Sequence, residues 1–158
     1  MCGPADAATV RIVALGARNT AGHAMPKNLA WPAQLEAMLR ARGYYVSISN
    51  AGLGGDDTTR MLARIEHDVP GGTQIVILDK AAGNDRKRGI ATDANVAAIA
   101  AKLQARQIRL VVIADLQAWA NRQLQGDGIH ITAVGHAALA AQLLPRVIAV
   151  LGKRGLSS

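Results

Sequence analysis

The chain has 158 residues, enough for one domain with a sizeable core and too few to expect two. Half of the residues are apolar, only 3% are aromatic and none is Phe, so the core must come from Ala, Val, Ile and Leu, which fill parallel strands and the helices packed on them. The net charge of +7 would suit an anionic partner, but the basic residues are spread along helix faces, with one tight cluster at Arg86, Lys87 and Arg88. Without a recognition motif or interleaved aromatics, no nucleic-acid partner is expected.

Residues 1–8 read as a leader, 9–152 as one domain and 153–158 as a tail. The single Cys2 excludes an internal disulfide. No basic region followed by an apolar run marks a signal peptide; a mature form from which one had been removed would read the same, so the compartment stays open. No membrane span is expected.

Thr9 to Leu15 is a β-branched and apolar run ending at Gly16 and reads as a first strand delivering a loop. Trp31 to Arg42, with Pro32 in its first turn and Leu35, Met38 and Leu39 on one face, reads as a helix closed by Gly43. Val46, Ile48 and Ala51 alternate with polar residues and lead into the glycine-rich stretch Asn50 to Asp56. A helix is expected from Thr58 to His67, broken by Pro70-Gly71-Gly72, and a third strand from Gln74 to Leu78, feeding a loop from Asp79 to Arg86. Asp93 is placed to cap a helix presenting Val96, Ile99, Ala100 and Leu103. Ile108 to Ala114 reads as a strand buried on both faces. Thr132 is placed to cap a last helix from Ala133 to Leu151. Alternating strands and helices predict an α/β fold, a small parallel sheet covered on both sides.

Ligands bind at the carboxyl ends of such strands. That rule selects four loops: Gly16 to His23, Asn50 to Thr58, Asp79 to Arg86, and Gly126 to Ile131. In the last, Asp127 precedes His130 by three residues on a turn into a helix. A carboxylate so placed can orient one ring nitrogen and leave the other as a general base. A Gly backbone N–H from Gly52 to Asp56 and the Asn84 carboxamide can converge as paired donors, the form of an oxyanion hole.

In these blocks the chain resembles the SGNH, or GDSL-type, hydrolases, a family of esterases and lipases. Ala14 to Gly22 looks like the first block, Asn50 to Thr58 the second, Gly83-Asn84-Asp85 the third and Asp127 to His130 the last. The resemblance implies a flavodoxin-like three-layer α/β/α sandwich, no metal or cofactor, and hydrolysis of esters or thioesters through an acyl-serine. It further implies His130 as base, Asp127 as its orienting carboxylate, and Gly55 and Asn84 as oxyanion donors.

The first block departs from the family pattern, because Arg18 holds the position of the nucleophilic serine. A guanidinium has no hydroxyl and stays protonated, so no acyl-enzyme can form there. Thr20 carries a hydroxyl two residues on, but reads as turn-stabilising. The third block runs one residue longer, through Asp79-Lys80-Ala81-Ala82, and the short stretch Leu116 to Gly126 implies a pocket open on that side, with Trp119 at its edge. Three readings follow: an ester hydrolase impaired by Arg18, a non-catalytic binder of small carboxylates or phosphate using Arg18, and altered catalysis through His130 or Lys80.

Overall fold

A computed structural model describes residues 8–113 and 131–156. The expectations for Asp127, His130 and Trp119 lie outside the described residues.

Four parallel strands, β1 (Val10–Gly16), β2 (Val46–Gly52), β3 (Thr73–Asp79) and β4 (Arg109–Ile113), form one sheet in the order β2-β1-β3-β4. Side chains alternate across the pleat, so β1 sends Ile12 and Ala14 to one face and Val13 and Leu15 to the other, and β3 divides Ile75 and Ile77 from Val76 and Leu78. On the first face lie helices α2 (Trp31–Ala41) and α7 (Ala133–Leu151), burying Trp31, Leu35, Leu39, Leu143 and Val147. The second is covered by α3 (Thr58–Ala63), α4 (Ile65–Asp68) and α6 (Thr92–Ala105), through Met61, Ile65, Ile99 and Leu103. This is the expected α/β/α sandwich around a small parallel sheet.

The structure corrects several local expectations. The loop after β1 contains a one-turn helix, α1 (Arg18–Ala21), and the expected loop after β3 is largely helix α5 (Ala82–Arg88). The helix expected from Thr58 to His67 breaks at Arg64 into α3 and α4. Asp93 lies in the first turn of α6, whose cap is Ala91 with no side-chain hydrogen bond, whereas Thr132 does cap α7, its hydroxyl accepting the Gly135 N–H at 3.0 Å. By length and a mean hydropathy of 1.6 alone, α7 is long and apolar enough to cross a membrane. Its apolar face is the core face against the sheet, which accounts for that hydropathy.

Candidate active site

The site is built on a register. Gly16 pairs with Gly52 and Leu15 with Leu78, so β1, β2 and β3 end side by side. A Cβ on Gly16 would collide with Thr20 and Asp79, and one on Gly52 with the Ala21 backbone; α1 lies directly over these two glycines. Asn50 fastens it there, donating from Nδ2 to the Thr20 carbonyl at 2.8 Å while its Oδ1 accepts the Gly52 N–H at 2.9 Å.

Arg18 is the first residue of α1. Its side chain is exposed and extends over the loop after β2, with Cγ 3.6 Å from where a Cβ on Gly54 would stand. The Oδ1 of the next residue, Asn19, accepts the Ile131 backbone N–H at 3.1 Å. Ile131 is fully buried and directly follows His130 in the chain.

Gly55 sits in the turn after β2 at φ +75°, a left-handed conformation that favours glycine, and the Asp56 N–H closes the turn onto the Leu53 carbonyl at 3.3 Å. Asn84, on α5, donates from Nδ2 to the Asp56 carbonyl at 2.7 Å. One turn further along α5, Arg88 Nη1 donates to the Gly55 carbonyl at 2.8 Å and pairs with Asp57 at 2.6 Å. The structure thus brings Gly55 and Asn84 together, with Arg18 over the adjoining glycine.

The surrounding carboxylates are occupied. Asp56 is held by Arg64 at 2.8 Å, and Arg64 also donates to the Gly16 carbonyl at 3.1 Å. Burial works to raise the Asp57 pKa, but the Arg60 backbone N–H and the Arg88 guanidinium outweigh it and hold the carboxyl below its usual range. Asp85 is fully buried and accepts from the Thr58 N–H at 2.9 Å and from the Thr58 and Thr92 hydroxyls. It fastens α3, α5 and α6 together.

Asp79, at the end of β3, is a buried carboxyl that pattern reading did not single out. It accepts from the Thr20 hydroxyl at 3.2 Å, from the Ala81 N–H at 3.0 Å and from the Ala17 N–H. Burial nevertheless pushes its pKa up. Thr20 is fully buried with its hydroxyl engaged, as expected of a turn-stabilising residue. Lys80 is half-buried; no hydrogen bond or ion pair joins its amine to a described residue. Among the described residues no group of three or more His, Cys, Asp or Glu is arranged to hold a metal.

A second unforeseen residue is His136 on α7, 1% exposed, whose Nδ1 accepts the Trp31 N–H at 3.0 Å. Burial lowers its pKa from 6.5 to about 4, so it is neutral at physiological pH and joins α7 to the start of α2. At the opposite, amino end of β1 and β2 lies a cleft of about 410 Å³ lined by residues including Arg40, Tyr44 and Tyr45.

No family model matches the sequence. An arylesterase of Vibrio mimicus is 32% identical over 85 residues, which make up 54% of this chain and 42% of that protein. The chain therefore matches less than half of that relative's length. The solved structure of AlinE4, an SGNH-hydrolase family esterase, matches with a TM-score of 0.68 and 26% identity over 91% of this chain and 97% of that one. The psychrotrophic esterase EstA of a Pseudoalteromonas species matches with a TM-score of 0.73 and 17% identity, covering 89% of this chain and 98% of its own. A likeness at that identity shows the fold alone. The fold of the chain is that of SGNH-type hydrolases, and its ordered sequence blocks are similar to theirs. At the carboxyl edge of the sheet, Arg18 lies over Gly54, next to Gly55, and Asn84 bonds to Asp56 in the same turn.

Proposed function

We propose that this SGNH-type chain is a scaffold for hydrolysing small carboxylic esters or thioesters by acyl transfer, and that Arg18 disables its first chemical step. The observation that carries the reading is the position of Arg18, at the strand-to-helix turn after β1, beside the Gly54-Gly55 turn. The next residue, Asn19, is bonded to the residue that follows His130.

In a competent site of this design, the residue at position 18 attacks the ester carbonyl as His130 takes its proton and Asp127 orients the imidazole. The Gly55 N–H and the Asn84 carboxamide stabilise the charge developing on the carbonyl oxygen. A guanidinium cannot perform the attack. Its fixed charge also disfavours an imidazolium at His130. What remains is substrate binding and the oxyanion donors, which in serine hydrolases leave about a thousandfold acceleration over water.

The test is hydrolysis of p-nitrophenyl acetate by the unaltered chain and by Arg18→Ser. The reading predicts that Arg18→Ser raises kcat/KM by about a thousandfold or more. A folded Arg18→Ser protein no faster than the unaltered chain contradicts it.

A further inference from the structure

Arg18 also has a positive chemistry of its own. The described carboxylates at the carboxyl ends of β2 and β3 are already engaged: Asp56 with Arg64, Asp57 with Arg88, Asp79 with Thr20 and Ala81, and Asp85 with Thr58 and Thr92. The Arg18 guanidinium makes no ion pair with a described residue and lies exposed over Gly54.

The backbone beneath it has the complementary property. In the loop after β2, the Gly52 N–H is taken by Asn50, the Leu53 N–H by the Gly16 carbonyl and the Asp56 N–H by the Leu53 carbonyl. The two consecutive N–H groups between them, of Gly54 and Gly55, donate to no described acceptor. Neither residue carries a side chain to cover them, and a Cβ on Gly55 would meet nothing within 4 Å. Successive backbone N–H groups in such a turn form a concavity for an anion. The Asn84 carboxamide nitrogen has two N–H groups, and among described acceptors only the Asp56 carbonyl takes one.

We infer that the Arg18 guanidinium, the Gly54 and Gly55 N–H groups and the Asn84 carboxamide form a receptor for one small oxyanion, a carboxylate or a phosphate. The planar fork of Arg18 supplies two parallel donors to a pair of ligand oxygens, a geometry suited to both groups. The turn supplies donors to the remaining oxygens. The inference does not depend on the ester-hydrolase reading, because binding is measured on the unaltered chain and needs no turnover.

The experiment is isothermal titration of the full chain with sodium acetate and with inorganic phosphate at constant ionic strength. It is repeated on Arg18→Gln and on Arg60→Gln, the latter removing another exposed arginine. Amide chemical shifts of the unaltered chain are followed in parallel. The proposal expects one saturable site for at least one anion, shifts at the Gly54 and Gly55 amides, and binding weakened about tenfold or more by Arg18→Gln but unchanged by Arg60→Gln. Tighter acetate binding identifies a carboxylate ligand, and tighter phosphate binding a phosphate; either supports the receptor. No saturable binding of either anion, undiminished binding by Arg18→Gln, or an equal loss in Arg60→Gln overturns it.

Discussion

The Oδ1 of Asn19 accepts the backbone N–H of Ile131 across 3.1 Å and 112 positions of sequence. One hydrogen bond thus joins the turn carrying Arg18 to the residue after His130. Replacing Asn19 by Ala removes this hydrogen bond, at a cost of about 1 kcal/mol. Urea denaturation of Asn19→Ala will show that loss. In an Arg18→Ser background the same change will lower kcat more than it alters KM, because it removes an anchor next to His130, the proposed base, and leaves the proposed Gly55 and Asn84 donors in place.

Asp85 is a structural carboxylate despite lying beside the site. Asp85→Ala removes the acceptor for the Thr58 N–H and for the Thr58 and Thr92 hydroxyls. With several buried donors released at once, stability falls by about 2–4 kcal/mol. A denaturation midpoint unchanged from that of the unaltered chain would show that these donors find other partners.

His136 gives the fold a pH dependence of defined sign. Its pKa is about 4 when folded, against 6.5 ordinarily, so between these values the unfolded chain binds a proton that the folded chain excludes. The stability it contributes is complete above pH 6.5 and is lost as the pH falls towards 4. At 1.36 kcal/mol per unit, the full swing is about 3 kcal/mol. Asp79, its pKa raised by burial, works oppositely, since its stabilising proton is lost as the pH rises. The His136 contribution is therefore read from the difference in stability between the unaltered chain and His136→Gln from pH 7 to 4. That difference is expected to shrink as the pH falls.

Ala81 occupies the left-handed region at φ +47° where the chain turns from β3 into α5. An L-residue pays about 1–2 kcal/mol there. Ala81→Gly relieves this at some cost in unfolded-state entropy, and the net expectation is a stabilisation of about 1 kcal/mol in chemical denaturation.

The sheet and its main helices were legible because their signals are local: the β-branched apolar run of β1, the alternation in β2, the apolar run of β4, the Thr132 cap of α7. The glycine-rich loop after β2 was legible for the same reason. Helix α1 was not, because four residues carry no periodicity. Helix α5 was missed because Gly83 and Asn84 are poor helix formers that tertiary bonds, from Asn84 to Asp56 and from Asp85 to Thr58, hold in place. The bonds joining Asn19 to Ile131 and Trp31 to His136 span 112 and 105 positions, and no local pattern specifies such pairs. A polar residue directly after Arg18, and a histidine on the apolar face of the last helix, were the available signals.

The central claim is that Arg18 alone withholds acyl-transfer chemistry from this site. The most direct test is intact-mass and peptide analysis of Arg18→Ser after exposure to a fluorophosphonate, which labels only an activated hydroxyl. The account predicts a single adduct on the peptide containing position 18, and none on the unaltered chain. An unlabelled Arg18→Ser protein with unchanged denaturation behaviour, or label confined to another peptide, would contradict it.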